Sequence, residues 1–361
     1  MEIHRWVRRE ILEMAGYQPG EQPADGRPLI KLNTNENPSG PPAAVIEAIT
    51  AATGAALRLY PEPSSRPVRE AAARAYGVEP DQVVVGNGSD DLLTMTLRLF
   101  VGPGEVVAAP DPTYTLYAPL TSLQGGSYRA VPWGERLATP VDALAATGAK
   151  LIFLTRPNAP TGHAVPLAEV AALCRAAPGV VLLDEAYVDF CHDHGLGLLA
   201  DHPNLIITRS FSKSLALAGL RVGLAFMAPE LAREYHKVRD SYNVNRLSQA
   251  GAVAALDNLP AFAPTIARIR TERDRLTQAL RNRGFTITPS QANFLLAAIP
   301  PASGTGADWV RDLRQAGILV RHFGADPALA DALRITIGTP EEMQALVTAV
   351  DAILANKSRL S

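Results

Sequence analysis

Cysteine is nearly absent from this sequence. Cys174 and Cys191 are the two in 361 residues, and no CxxC pair occurs. That excludes a disulfide framework and a cysteine-built metal site, and it points to a reducing compartment. An excess of one charge is missing too: 34 Lys and Arg stand against 36 Asp and Glu, a formal net charge of -2. Nothing there marks a polyanion-binding surface. The run 268–283 looks basic, but Glu272 and Asp274 interrupt it, and Ile266, Ile269, Leu276 and Leu280 form one helical stripe. Its arginines read as a solvated face, not as nucleic-acid contacts. No apolar run is long enough to span a bilayer. The N-terminus has no apolar signal core and carries Glu2, Glu10 and Glu13, unlike a transit peptide. The expectation is a cytoplasmic protein with no nucleic-acid or membrane partner. Lysine is scarce as well, limited to Lys31, Lys150, Lys213, Lys237 and Lys357.

What is present is apolar sequence in quantity, 47% of the chain, enough for a large core and two domains. Residues 3–14 place Ile3, Trp6, Val7, Ile11 and Met14 at helical spacing, an amphipathic arm that must cover its own core or a partner subunit. From about residue 66 helices and strands alternate. Apolar runs at 82–85, 106–109, 151–155, 180–183, 205–207 and 224–227 are separated by helical stretches such as 67–76, 91–100 and 167–177. Continuous apolar strands in βα alternation predict an α/β fold with a mostly parallel sheet covered on both faces. Ligands of such sheets bind beyond the strands' carboxyl ends. After Tyr242-Asn243-Val244-Asn245 the character changes to a long helical region and then short strands, a smaller α+β unit. The predicted division is an arm at 1–35, a large domain at 36–250 and a small domain at 251–361.

Most polar motifs fall at those strand ends. Run 82–85 ends in Gly86-Asn87-Gly88-Ser89-Asp90 and passes at once into a helix. Small residues there let backbone N–H groups approach an anion at the helix start. Asp91 stands where a dinucleotide fingerprint needs glycine, and no Gly-Lys-Ser/Thr follows, so a phosphate group fits better than a dinucleotide. Asp184 ends the run 180–183. It is either a helix N-cap or a carboxylate that needs a positive partner, because burial otherwise raises its pKa. A protonated pyridine nitrogen is one such partner, as in pyridoxal phosphate. Tyr187 would then lie within reach of the ring's phenolic oxygen, and Tyr114 against its face. Lys213, in Ser210-Phe211-Ser212-Lys213, is either a surface lysine of a turn or a desolvated, nucleophilic amine. The pair His192 and His194 has no second cluster to complete a metal site, so it reads as a solvated loop.

Taken together, these motifs resemble those of the fold-type I aminotransferases of classes I and II. The match lies in Ser210-Phe211-Ser212-Lys213 with Ala218-Gly219-Leu220-Arg221-Val222-Gly223, in Asp184-Glu185-Ala186-Tyr187, in Pro157-Asn158-Ala159-Pro160-Thr161-Gly162 and in the Gly86 loop. Tyr17-Gln18-Pro19-Gly20, Asn33-Thr34-Asn35-Glu36-Asn37-Pro38, Leu59-Tyr60-Pro61-Glu62-Pro63 and Arg334-Ile335-Thr336-Ile337-Gly338 are most similar to the branch acting on histidinol phosphate and 2-oxoglutarate. The resemblance implies pyridoxal 5'-phosphate, carried covalently on Lys213, which later moves a proton. It also implies Asp184 at the ring nitrogen, Tyr187 at the phenolic oxygen and Tyr114 on the ring face. Gly88, Ser89, Asp90, Ser210, Ser212 and Arg221 would hold the phosphate. Tyr60 would reach the other subunit's cofactor, making the active unit a homodimer. Tyr17, Asn35, Arg321 and Arg334 would line the substrate's place, with Asn293 a further candidate and Arg334 at its acidic end.

One position departs from the family. Ala159 stands where an asparagine usually precedes Pro-Thr-Gly and bonds the phenolic oxygen. A hydrogen bond to a charged oxygen is worth about 1.5–3 kcal/mol. Tyr187 remains as donor, and Asn158, counted among the expected cofactor contacts, or a water is expected to compensate. Alternative activities on the same fold are an aromatic or broad-range aminotransferase and a threonine-phosphate decarboxylase-like enzyme.

Overall fold

The computed structural model describes residues 3–14, 16–17, 19–22 and 29–358. Gln18, named in a motif above, lies outside them. A seven-stranded sheet is built from β2 (Val83–Gly86), β3 (Val106–Asp111), β4 (Ser127–Pro132), β5 (Leu151–Thr155), β6 (Val180–Asp184), β7 (Leu205–Ser210) and β8 (Gly223–Phe226). Together with β1 (Ile30–Leu32), β9 (Thr286–Ile287), β10 (Phe294–Ala298), β11 (Ile318–His322) and β12 (Ala332–Thr336), they number the strands in chain order.

The large sheet runs β2-β8-β7-β6-β5-β3-β4, and only β8 is antiparallel to its neighbours. β5 and β7 are buried at every position, as strands packed on both faces require. Alternate residues feed two cores. Ile152, Leu154, Val181, Leu183 and Ile207 enter one, while Leu151, Phe153, Leu182 and Ile206 enter the other. The expected α/β class and parallel sheet are what the structure shows. Register then aligns the strand ends: Thr155 of β5 lies beside Asp184 of β6, and Asp184 beside Thr208 of β7.

The smaller sheet runs β1-β11-β12-β10-β9 and has its own core around Phe294, Leu295, Trp309, Ile318, Leu333 and Ile335. Its first strand comes from the chain's beginning. β1 pairs in parallel with β11, Ile30 opposite Ile318, so residues within the expected arm belong to the sheet of the C-terminal part.

Three features differ from the sequence expectations. The helix expected over 3–14 is a 3-10 turn at Ile3–Arg5 followed by a helix at Arg9–Glu13, and Trp6 is 73% exposed. Without a core beneath it, so short a helix has little to extend it. β4 was not anticipated, because an edge strand reading SYRAVP lacks a clean alternation. Two arginines of the 268–283 run are not solvated. Arg270 donates to the carbonyls of Asp189, Phe190 and Cys191, and Arg273 to that of Ala292.

Candidate active site

A cavity opens where the parallel strands end, walled by both sheets. Asp90, Tyr114, Asp184, Tyr187, Ser212, Lys213 and Arg221 line it from the large sheet, and Arg321, Phe323 and Arg334 from the small one. Residues Asn33, Thr34 and Asn35 run between the two groups.

Asp184 lies at the floor, 4% exposed. Its Oδ2 accepts from the Tyr117 hydroxyl at 2.9 Å, and its Oδ1 from the Ala186 N–H at 3.1 Å and the Thr208 hydroxyl at 3.3 Å. Burial pushes its carboxyl up to about 6 against these donors, and the charge of Asp90 adds to the rise. Among the described residues no Lys, Arg or His forms an ion pair with it. A buried carboxylate that faces a cavity and has no ion-pair partner suits a positively charged ligand atom.

Tyr117 and Thr155 were not foreseen. Tyr117 is fully buried, stacked on Phe153 with ring centroids 4.2 Å apart, and its oxygen lies 2.7 Å from the Thr155 hydroxyl. Thr155 continues to Thr113 at 3.2 Å, and Thr113 donates to Asn158 Oδ1 at 2.8 Å. Asn158 therefore does not reach the cavity as expected. It is fully buried, its Nδ2 bonds the Pro112 carbonyl and Thr161, and it ends a chain of hydroxyls that begins at Asp184. Ala159, by contrast, lines the cavity.

Lys213 reaches the carbonyl of Thr34 with Nζ at 3.3 Å and stands 5.6 Å from the centre of the Tyr187 ring. The loop behind it is tied down: Asn37 Nδ2 donates to the carbonyls of Lys213 and Ser214, and Ser214 bonds Asp189. Arg221 adopts a left-handed backbone, φ 51°, and extends to Ser212 Oγ at 3.3 Å and Asp90 Oδ2 at 3.4 Å. Gly88, the N-cap of the helix Ser89–Phe100, has φ 89°, and a Cβ there would lie 2.5 Å from the Arg221 guanidinium. Gly223 is constrained likewise, since its Cβ would meet the Ser89 nitrogen at 2.7 Å. A helix start, an arginine fork and the hydroxyls of Ser89, Ser210 and Ser212 thus converge on one end of the cavity, a cradle suited to a phosphate.

Tyr114 packs edge-on to Tyr117 and Tyr17, with centroids at 5.5 and 6.3 Å, and its hydroxyl donates to Asp90. Burial, reinforced by Asp90, pushes its phenol far above the ordinary range. Across the cavity, Arg334 lies over the rings of Phe294 and Phe323 at 5.4 and 5.5 Å, and Nη2 donates to the Asn33 carbonyl. Its Nε is buried without a partner, and burial holds the guanidinium below its usual range. The Arg321 guanidinium stands 5.6 Å from the Phe323 ring. Tyr60 is not in the cavity. It is 76% exposed and stacks on Tyr242 at 4.4 Å, beside the half-exposed Leu57 and Leu59. No group of three or more His, Cys, Asp or Glu could hold a metal ion among the described residues.

A lysine, a buried carboxylate without an ion-pair partner and a cradle suited to a phosphate thus stand together at the ends of a parallel sheet. The chain matches the aminotransferase class I and II family over residues 27–350 and belongs to it. Its curated relatives narrow the comparison. The histidinol-phosphate aminotransferase of Synechocystis sp. is 44% identical over 349 residues, covering 96% of this chain and 98% of the relative. That of Citrifermentans bemidjiense is 43% identical over 344 residues, covering 95% and 97%. Among solved structures, the histidinol-phosphate aminotransferase of Sinorhizobium meliloti in complex with pyridoxal-5'-phosphate has a TM-score of 0.84 and 28% identity, covering 93% of this chain and 92% of that one.

Proposed function

We propose that this protein binds pyridoxal 5'-phosphate and transfers the amino group of L-histidinol phosphate to 2-oxoglutarate, giving imidazole acetol phosphate and L-glutamate, a step of histidine biosynthesis. The observation that carries the cofactor reading is Asp184, a buried carboxylate without a cation in the same cavity as Lys213 and the Arg221 cradle. When bound, the cofactor supplies an aldehyde that takes up amino groups and a ring that withdraws electrons from the substrate's α carbon.

The chain's own residues do the rest. Asp184 would hold a proton at the ring nitrogen, and Tyr187 would donate to the phenolic oxygen. Ser89, Asp90, Ser210, Ser212 and Arg221 would hold the phosphate, with Gly88 leaving room for the guanidinium. Lys213 would carry the aldehyde carbon and move the proton at the substrate carbon. Tyr114 would lie against the ring. Arg334, whose Nε lacks a partner, would meet the acidic end of each substrate, a phosphate in one half-reaction and a carboxylate in the other. Arg321 and Tyr17 would complete that end.

We further propose a cytoplasmic homodimer with a large domain at 36–250 and a small one at 251–361. The exposed Tyr60, Leu57 and Leu59 support an interface on that face, and Tyr60 would extend to the partner's cofactor. The relatives' names and the two arginines support the substrate. Incubation with histidinol phosphate and 2-oxoglutarate should release glutamate. Turnover of phenylalanine without turnover of histidinol phosphate would point instead to the aromatic enzyme. The reconstituted protein should be yellow, and Lys213→Ala should remove the colour.

A further inference from the structure

Asn35 holds an unusual position. Its backbone is left-handed, φ 56°, and it is 1% exposed. Every polar group of the residue is engaged. Its N–H donates to Thr336 Oγ1 at 3.0 Å, and its carbonyl accepts from Asn293 Nδ2 at 3.0 Å. Its Oδ1 accepts the Thr336 hydroxyl proton at 3.1 Å, and its Nδ2 donates to the Tyr187 hydroxyl at 3.0 Å. Because the oxygen end of the amide is held by Thr336, the nitrogen end must face Tyr187. A phenol that accepts from an amide N–H keeps its own proton for another acceptor.

We propose that Asn35 is a positioning residue that fixes Tyr187 as a hydrogen-bond donor into the cavity, with Thr336 holding the amide in the orientation this requires. The inference rests on the cofactor reading above and deepens it. Ala159 lines the cavity without a polar side chain, and Asn158 is committed to Thr113, Thr161 and Pro112, so neither side chain supplies a donor there. The chain makes up for this by orienting the Tyr187 hydroxyl. Thr336 also lies two residues from Arg334 on β12, and Arg334 donates to the carbonyl of Asn33. The orientation of Tyr187 is thus set from the strand that carries the anion-binding arginine.

The test reads the visible band of the reconstituted protein as a function of pH. Donation to the cofactor's phenolic oxygen stabilises negative charge there, so losing the donor raises the pH at which the band titrates. Asn35→Asp keeps the size of the side chain and tolerates a left-handed backbone, but it offers Tyr187 only acceptors. The midpoint should rise by about one pH unit. In a Tyr187→Phe background the same substitution should move it by less than half as much, the remainder being the added charge acting directly. Thr336→Val, which adds no charge, should raise the midpoint by about half a unit, and Thr336→Ser should leave it unchanged. Equal shifts in the two backgrounds, or a Thr336→Val protein that titrates as the parent does, would overturn the proposal while leaving the cofactor reading intact. A parent protein without any visible band would sink both.

Discussion

Asp184 and Glu185 are adjacent, both buried, and burial pushes both carboxyls up. Glu185 lies between two guanidiniums, with Arg209 at 3.1 Å and Arg156 at 3.9 Å, and also accepts the N–H of Gly195. Arg156 pairs with Asp193 as well, and Arg209 lies over the Tyr76 ring at 4.7 Å. That side of β6 is complete in itself. Asp184 receives only neutral donors from Tyr117, Thr208 and Ala186. The strand's end therefore separates a structural ion pair from a carboxylate without an ion-pair partner among the described residues. Burial alone does not mark function here; the absence of a partner does.

If this contrast is right, the two residues should respond to substitution in opposite ways. Asp184→Asn should lower turnover by about 10³-fold by removing the charge at the ring nitrogen. The cofactor-free protein should melt no lower than the parent, since an unpaired buried charge has gone; a clear drop in Tm would break the comparison. Glu185→Gln leaves the buried Arg209 without its carboxylate and Arg156 with Asp193 alone. It should cost about 3–5 kcal/mol in urea unfolding, with KM near normal in whatever remains folded.

The third prediction concerns pH. The folded value of Asp184, about 6, lies above the ordinary 3.8, so between these values the folded chain binds more protons than the unfolded one. Stability of the cofactor-free protein should therefore fall as pH rises through this window, by on the order of 2–3 kcal/mol. Glu185 acts in the same direction, so the part due to Asp184 is the difference between the parent and Asp184→Asn measured across pH 4–7. Identical curves would contradict the assignment. Smallest is Tyr117→Phe, which removes one of three donors from Asp184. It should move the upper edge of that window up by roughly one unit, read from the same curves.

Much of this arrangement was legible in sequence because parallel strands buried on both faces leave their polar residues only at the ends. Asp184, Lys213 and the Gly88 loop follow from that rule, while Arg221, ahead of the antiparallel β8, came with the family resemblance. Thr155 and Thr208 obey it too, each a polar residue closing an apolar run, and their register beside Asp184 could have been inferred. Tyr117 carries no such sign, since nothing in a helical Tyr tells which strand end it meets. Asn158 was misplaced because a motif gives the neighbourhood of a side chain but not its direction. Asn35 was expected to line the substrate's place. It does line the cavity, but its amide is turned to Tyr187, a contact made across 152 residues.

The pairing of β1 with β11 bears on the order in which the protein is made. All seven strands of the large sheet have been synthesised by Phe226, while Ile30 must wait for Ile318. Contacts so distant along the chain form slowly and late. A nascent chain can thus present Lys213, Asp184 and Arg221 on a formed sheet while Asn35 still has no Thr336 to orient it. The wall that gives Tyr187 its direction therefore depends on a contact spanning 301 residues, Asn35 to Thr336.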